Sequence, residues 1–386
     1  MTRLKDKLGM FLIRMRFKGK GNSNLKKLSR FTRSLEAWRT RVADLKRGIL
    51  TGAGLHPLPK RTLLNPVFHG VRYHSQYSVS NVYFESIPGF FVTGNLYEPF
   101  TDNEMGKIPV VLKPHGHFKH GRFRQDNQQI CATLARLGAR VFTYDMIGYG
   151  DSTQLSHKIP NALTLQIWNS IRAVDFTINL GNSDPDHVAI TGASGGGTQS
   201  FLLAAIDERI TLSAPLVMVS SRFYGGCTCE SGKPIHDMTT PGTNNAEIAA
   251  AFAPKPQLIL SISTDWTRYV PQVEFPFIQE AYRLTGASNM VENVHITGER
   301  HDLGPSKRDA TCRFIAKHFN LDINVILDPA GNIDESSNII EDPSVMASFN
   351  DKHPRPVRAL IGEDTILETL ARLQVSQSSH PGNAGT

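Results

Sequence analysis

Apolar residues recur with two different periods along this chain, and the change of period predicts strands and helices in turn. Residues 79–85 and 89–97 have the alternating pattern of strands, and the Pro88-Gly89 turn between them predicts an antiparallel hairpin. The predicted strands that follow are 108–112, 140–144, 187–191, 210–219, 257–262 and 291–297, and the predicted helices are 125–137, 162–180, 199–206, 273–284 and 306–319. Because strands that alternate with helices form parallel sheets, we predict an α/β fold with a mostly parallel central sheet flanked by helices.

Three segments depart from this rhythm. Residues 1–72 precede it and include a proline-bearing connection, so we expect a basic, helical N-terminal extension of a catalytic domain at 73–320. Residues 221–254 interrupt it with Gly, Cys, Thr, Pro and Asn over a length that is too long for a simple connection, which predicts an insertion over the active site. Residues 321–386 turn polar, with one helix-like stretch at 365–373, and we expect a C-terminal extension with a disordered end.

The composition is that of an ordinary globular protein, with 40% hydrophobic and 20% charged residues among 386. No apolar stretch approaches the length of about 18 residues that spans a bilayer, and no signal-peptide pattern is found, so we expect a cytoplasmic protein. The oligomeric state stays open.

The formal charge of +7 is concentrated near one end, because residues 1–50 hold 15 Lys and Arg against 3 acidic residues. Residues 4–20 combine apolar and basic positions, which suits an amphipathic helix that either contacts an anionic membrane or packs on the main domain. No nucleic-acid-binding module accompanies this charge, so nucleic acid is not expected as a partner.

The candidate chemistry begins with Gly192-Ala193-Ser194-Gly195-Gly196, which lies between a short β-branched run and a helical run. A tight strand-to-helix turn crowds the backbone around its central residue, so the positions two before and two after it must be small. Glycine occupies both positions. Ser194 is therefore predicted to be an exposed nucleophile, in a pattern that is weak alone and gains weight from its flanking elements.

A serine hydroxyl needs a base to remove its proton and a carboxylate to orient that base. His301 follows the last predicted strand, and Asp265 follows the strand before it, where catalytic groups gather at the carboxyl edge of a parallel sheet. We predict His301 as base and Asp265 as its carboxylate. Asp302, adjacent to the histidine, and Glu274, inside a predicted helix, are the competing carboxylates.

The oxyanion of an acyl-transfer intermediate needs two backbone N–H donors. The residue after the nucleophile supplies one in this kind of turn, so Gly195 is the first predicted donor. The loop after the 108–112 strand contains Gly116, which lets the backbone approach the substrate, and His117 is the second predicted donor.

Two groups of residues offer metal-ligand atoms: His115, His117 and His120 in one loop, and Cys227, Cys229 and His236 in the insertion. The first group has no nearby carboxylate, and the second has tight cysteine spacing and no fourth ligand. We therefore expect no metal and no cofactor. A structural loop or a reducible bridge is the alternative use of Cys227 and Cys229.

These residues resemble the α/β-hydrolase superfamily in the chain order Ser, Asp, His, and more closely its acetyl xylan esterase-like branch. The blocks that carry the closer resemblance are Pro114-His115-Gly116-His117, Gly226-Cys227-Thr228-Cys229-Glu230, Asn244-Asn245-Ala246-Glu247, Ala253-Pro254-Lys255-Pro256 and Thr264-Asp265-Trp266-Thr267. The resemblance implies hydrolysis of small acyl esters on carbohydrates through an acyl-enzyme, without a cofactor. Within these blocks we expect His115 and Trp266 to contact the substrate. The sequence departs from two related types at the residue after the serine, which is Gln in cephalosporin C deacetylases and Arg in glucuronoyl esterases.

Three other functions compete with this one. A prolyl-oligopeptidase-like peptidase would need a propeller, for which the roughly 75 residues before the first predicted strand are too few. A dienelactone hydrolase-like activity would favour cysteine at position 194. A catalytically silent hydrolase fold could instead serve as a binding module, although such a module has no physical need for three correctly spaced groups.

Overall fold

The computed structural model describes residues 24–100 and 106–378. Within them nine strands form one sheet in the order β1-β2-β3-β5-β4-β6-β7-β8-β9. The strands are β1 Val67–Tyr73, β2 Tyr77–Ile87, β3 Phe90–Pro99, β4 Ile108–Pro114, β5 Arg140–Tyr144, β6 Ser183–Ala193, β7 Leu212–Leu216, β8 Gln257–Ile262 and β9 Val291–Ile296. The strands β1, β2 and β3 pair in antiparallel fashion, and β3 is antiparallel to β5. From β5 to β9 every pair is parallel, which confirms the predicted mostly parallel sheet.

Helices cover both faces of this sheet. They are α1 Leu35–Gly52, α2 Gln125–Arg136, α3 Ala162–Ile178, α4 Gly195–Ile206, α5 Lys233–His236, α6 Asn245–Ala250, α7 Glu274–Leu284, α8 Pro305–Phe319, α9 Pro343–Met346 and α10 Glu363–Ser378, with 3-10 turns at Ser29–Thr32, Gly121–Phe123, Ser288–Met290 and Ile323–Ile326. Along β4, Val110 and Leu112 belong to one buried cluster and Val111 to the other, as the alternation of a strand requires. The larger cluster takes in side chains of α1, α3, α4, α6, α7 and α10, and the smaller one those of α2 and α8.

The predicted elements differ from the observed ones mainly at their ends. Strand β1 was not predicted. It pairs with β2, although nearly all of it precedes residue 73, where we expected the catalytic domain to begin. The strand predicted at 210–219 is shorter, because the chain turns at Val217, whose φ is +50°. The helix predicted at 199–206 starts earlier, directly after Ser194.

The N-terminal helix α1 is part of the core. Ser34 caps it by accepting a hydrogen bond from the Ala37 N–H at 3.2 Å, and Trp38 is buried. Arg41 donates to both carboxylate oxygens of Glu247 on α6, at 2.8 and 2.7 Å, with both side chains fully buried. This ion pair ties the N-terminal segment to the 221–254 insertion.

The chain beyond residue 321 returns across the antiparallel end of the sheet. Glu341 accepts hydrogen bonds from Arg72 at 2.6 Å and lies 2.8 Å from His74, and the buried Ser348 Oγ donates to the Val82 carbonyl at 3.1 Å. The division into 1–72, 73–320 and 321–386 stays a prediction.

The predicted amphipathic helix at 4–20 lies outside the described residues, as does the chain from residue 379 onward. Among the residues that are described, no helix combines the length and the apolar character needed to cross a membrane.

Candidate active site

Ser194 stands at a sharp turn between β6 and α4. Its φ of 57° and ψ of −121° are unusual for a residue with a side chain. Ser194 is buried, with 9% of its surface exposed, so the prediction of an exposed serine is wrong: the neighbouring loops cover the turn. A Cβ atom on Gly192 would lie 2.5 Å from the Pro114 carbonyl oxygen, and one on Gly196 would lie 2.4 Å from the same atom. The prediction that both positions must be small is therefore confirmed.

The parallel strands bring the predicted catalytic residues to one edge of the sheet. Strands β6, β7, β8 and β9 are successive parallel neighbours, so their carboxyl ends lie side by side. Ser194 follows β6, Asp265 follows β8, and His301 follows β9. This edge is where ligands bind in open α/β sheets.

His301 and Asp265 form a hydrogen-bonded pair. The Nδ1 atom of His301 lies 2.7 Å from the Oδ2 atom of Asp265. The other carboxylate oxygen, Oδ1, accepts from the N–H and from the hydroxyl of Thr267, both at 2.6 Å. Because a carboxylate only accepts, Nδ1 carries the ring proton and the lone pair sits on Nε2. The Nε2 atom is buried and has no hydrogen-bond partner within the described ranges.

The two competing carboxylates have other partners. Asp302 accepts from the Lys307 ammonium and from the Gly304 N–H, both at 3.0 Å. Glu274 is fully buried and accepts from the hydroxyl of Ser221 at 2.7 Å. Asp265 is thus the carboxylate that orients His301 in this geometry.

The loop after β4 lies between the serine and the histidine. A Cβ atom on Gly116 would lie 3.0 Å from the Ser194 Cβ, and the Phe118 ring centroid is 6.2 Å from that of His301. Within the described residues, no hydrogen bond joins the Ser194 hydroxyl to His301. Such bonds are often long in enzymes without substrate and shorten in the complex.

The two predicted oxyanion donors lie close to Ser194. A Cβ atom on Gly195 would lie 2.8 Å from the His117 ring, and one on Gly116 would lie 2.5 Å from the carbonyl oxygen of Ala193. The backbone at 116–117 therefore passes directly beside the serine turn. The roles of the Gly195 and His117 N–H groups stay predictions.

His115 turns into the protein. Its Nδ1 atom lies 2.8 Å from the Gly116 carbonyl oxygen, and its Nε2 atom accepts from the Met146 N–H at 3.0 Å. Burial lowers the pKa of His115 to about 3, so the ring is neutral. Its substrate contact stays a prediction, and these bonds favour a structural role in its place, because both ring nitrogens are already used.

Trp266 is positioned for the other predicted substrate contact. Its ring centroid lies 4.5 Å from that of His301 and 4.2 Å from that of Phe223. Its indole N–H is buried and has no hydrogen-bond partner in the described part of the chain. An aromatic wall with an unused donor suits a sugar ring, whose apolar face stacks and whose hydroxyls accept hydrogen bonds.

A second cluster of reactive groups lies next to the serine, on three different loops. One ligand atom from each of His117, His157, Cys227 and Cys229 lies within 4.8 Å of the others. The His117 Nε2 atom is 2.9 Å from each sulfur and 3.1 Å from the His157 Nε2 atom. Hydrogen bonds from Cys229 and from the two imidazoles lower the pKa of Cys227 far below its usual range.

This cluster takes His117 from the first set of predicted ligand residues and both cysteines from the second, and it adds His157. His120 is exposed, and the His236 Nε2 atom lies 3.1 Å from the side-chain oxygen of Asn245, so neither joins it. His157 was not identified from the sequence, because it stands alone in the loop after β5 without a spacing that marks it.

Comparison with solved structures finds a relative that matches nearly the whole chain. The chain is 36% identical to the methylesterase BT1017, with a TM-score of 0.84 over 94% of this chain and 81% of that one. It is also similar in fold to a glucuronoyl esterase from Solibacter usitatus, with 14% identity and a TM-score of 0.54 over 74% of this chain and 93% of that one. An acetyl xylan esterase from Paenibacillus sp. R4 is 17% identical, with a TM-score of 0.50 over 71% and 94% of the two chains. The last two show the fold alone. No protein-family model and no curated protein matches the chain.

Proposed function

We propose that this chain, which belongs to the α/β-hydrolase esterase family of the methylesterase BT1017, hydrolyses esters on a carbohydrate through an acyl-serine intermediate. The observation that carries the proposal is the hydrogen bond between His301 and Asp265. It leaves the Nε2 atom of His301 free, at the same edge of the sheet as the strained Ser194. A serine in such a turn beside an oriented imidazole has the parts that acyl transfer requires.

The proposed reaction has two halves. The His301 Nε2 atom takes the hydroxyl proton as the Ser194 oxygen attacks the ester carbonyl, and the N–H groups of Gly195 and His117 stabilise the oxyanion. The imidazolium, stabilised by Asp265, then gives its proton to the departing alcohol as the ester bond breaks. A water molecule attacks the acyl-serine in the same way, which releases the acid and restores the serine. No step requires a cofactor.

The substrate class follows from the relative and from the walls of the site. Methylesterase BT1017 is named for methyl esters, and the 36% identity over 94% of this chain favours a methyl ester of a sugar acid here. Trp266 beside His301 supplies an aromatic surface against which a sugar ring can stack. An acetylated sugar is the second candidate, because the sequence blocks resemble acetyl xylan esterases. In a methyl ester the sugar is the acyl group that stays on the serine, whereas in an acetylated sugar it is the alcohol that leaves first.

Product analysis separates these substrates. The purified protein is incubated with a methyl-esterified uronic acid oligosaccharide and, separately, with an acetylated sugar, and released methanol and acetate are measured. We expect methanol release that is lost in Ser194→Ala and kept in Ser288→Ala, a matched change at an exposed serine away from the site. Acetate release alone would favour the second candidate. Release of neither product, and no turnover of short p-nitrophenyl esters, would favour a binding module.

The expected membrane contact and cytoplasmic location stay predictions. Because α1 is buried in the core, deleting residues 1–50 would damage the fold, and the informative truncation stops at residue 23. Co-sedimentation with anionic vesicles should fall in that truncated chain if the basic segment contacts membranes. Equal sedimentation of the two chains would end that interpretation.

A further inference from the structure

We propose that His117, His157, Cys227 and Cys229 bind one zinc ion in a closed tetrahedral site that clamps together three loops at the catalytic edge. The four ligand atoms all lie within 4.8 Å of one another. Two imidazoles and two thiolates form a common donor set of structural zinc sites. From the sequence we expected no metal, because the loop histidines and the insertion cysteines look incomplete when each set is taken separately. The proposal does not depend on the substrate or on the esterase activity.

The distances suit an ion of this size. Zinc–nitrogen and zinc–sulfur bonds imply separations of about 3.3 to 3.8 Å between neighbouring ligand atoms of a tetrahedron. The two imidazole nitrogens are 3.1 Å apart, and each sulfur is 2.9 Å from the His117 Nε2 atom. These three pairs would move apart by less than about 1 Å, and the remaining pairs of ligand atoms already lie within 4.8 Å, so shifts of about 1 Å bring the four atoms to a coordinating geometry.

The imidazoles are oriented as zinc ligands usually are. The His157 Nδ1 atom lies 2.7 Å from the Ile147 carbonyl oxygen, so it carries the proton and the Nε2 lone pair faces the cluster. The His117 Nδ1 atom lies 3.7 Å from a carboxylate oxygen of Glu230. Metal-bound histidines nearly always donate the second ring N–H to a carbonyl or carboxylate oxygen, as His157 does here, and Glu230 is the carboxylate that faces His117.

The donor set also decides between the possible ions and roles. Thiolate and imidazole ligands favour zinc and similar soft or borderline ions over magnesium or calcium. Four protein ligands complete a tetrahedron and leave no open position for a water molecule, which is typical of a structural site and not of a catalytic one. The cysteines are separated by a single residue, which is closer than in most zinc sites, but both sulfurs reach the same nitrogen.

A zinc ion in this cluster would stabilise the edge of the sheet that carries Ser194, Asp265 and His301. His117 follows β4 and carries a predicted oxyanion donor, His157 belongs to the loop after β5, and the two cysteines belong to the 221–254 insertion. The ion would therefore hold the backbone at position 117 beside Ser194. We expect its loss to lower both the melting temperature and the turnover, without any part of the ion in the bond-breaking steps.

Metal content tests the proposal directly. The full chain is purified without chelators, and its metals are quantified per mole of protein; the same chain is then stripped and reloaded with zinc or with cobalt. We expect one zinc per chain and, with cobalt, the visible absorption of a tetrahedral thiolate site. Cys227→Ser and His157→Gln should each lose most of this metal and the cobalt spectrum. Cys131→Ala, which changes a buried free cysteine outside the cluster, should keep both.

Three results would overturn the proposal. The first is a folded wild-type chain that binds no zinc or cobalt after reloading. The second is equal metal content in the cluster variants and in Cys131→Ala. The third is a disulfide between Cys227 and Cys229 in the freshly purified protein, seen as a mass lower by two hydrogens. Where a cluster variant fails to fold, the reloaded wild type alone decides, because its stoichiometry and spectrum do not depend on any variant.

Discussion

Replacing Asp265 with Asn should nearly abolish esterase turnover and leave the fold intact. In the wild type one carboxylate oxygen accepts from His301 at 2.7 Å, and the other accepts two hydrogen bonds from Thr267 at 2.6 Å. An asparagine of the same shape would keep its oxygen on Thr267 and turn its NH₂ toward His301. That group donates to the imidazole, so the ring proton moves to Nε2. A protonated Nε2 cannot take the proton of Ser194.

The size of the effect follows from the loss of the correct tautomer. The equivalent change in a serine protease triad lowers kcat about 10⁴-fold, which corresponds to about 5 kcal/mol of transition-state stabilisation. We expect a loss of about this size here, because among the described residues no group other than Asp265 hydrogen-bonds to the His301 ring and could hold its tautomer. The expected change in KM is small, since Asp265 contacts the imidazole at Nδ1, on the side of the ring away from the free Nε2.

The assay is the steady-state hydrolysis of p-nitrophenyl acetate by the wild type, by Asp265→Asn and by Asp302→Asn. The last is the matched control, because Asp302 is adjacent to the histidine in sequence and bonds to Lys307. Urea unfolding of each variant checks the fold. Turnover of Asp265→Asn within tenfold of the wild type, or a larger loss in Asp302→Asn, would refute the proposed orientation of His301.

Three further predictions concern stability. Gly196→Ala places a Cβ 2.4 Å from the Pro114 carbonyl oxygen and should cost about 1–3 kcal/mol in urea unfolding, with a loss of turnover because the serine turn shifts; unchanged stability would contradict the close approach. Arg41→Met leaves the buried carboxylate of Glu247 without its ion-pair partner and should lower the free energy of unfolding by about 3–5 kcal/mol in urea. The double variant with Glu247→Leu removes that charge as well and should recover most of the lost stability. Burial lowers the pKa of His236 to about 4, so its neutral form contributes stability that is present above pH 6.5 and is lost as the pH falls to about 4. The loss is about 3 kcal/mol in the wild type, and His236→Gln should show a flatter pH dependence of its unfolding free energy.

The serine turn could be predicted from the sequence because its cause is local. Gly192 and Gly196 are needed because a side chain at either position would collide with the Pro114 carbonyl oxygen. The strand and the helix that flank the turn could be predicted from the spacing of their apolar residues. Asp265 and His301 were placed by topology, since parallel strands put their carboxyl ends on one edge. Asp265 was chosen over Asp302 and Glu274 on the same ground, and its hydrogen bond to His301 supports that choice.

Other features depend on contacts between distant segments. His157 lies 40 residues from His117 and Cys227 lies 110 residues from it, so no spacing along the chain marks their cluster. Strand β1 was missed because its exposed edge lacks the apolar alternation of its neighbours. The return of the chain onto the antiparallel strands rests on buried polar contacts of Ser348 and on the Phe349 ring, whose centroid lies 5.0 Å from that of Tyr83, and such contacts leave no periodic pattern.

Covalent labelling tests the central claim most directly. The full chain is treated with a fluorophosphonate, which phosphonylates activated serines, and the modified residue is identified by peptide mass spectrometry. We predict a single adduct on Ser194, formed in parallel with the loss of esterase activity and absent from Ser194→Ala. An active protein that forms no adduct on Ser194, or that loses activity through an adduct elsewhere, would contradict the assignment of this serine as the nucleophile.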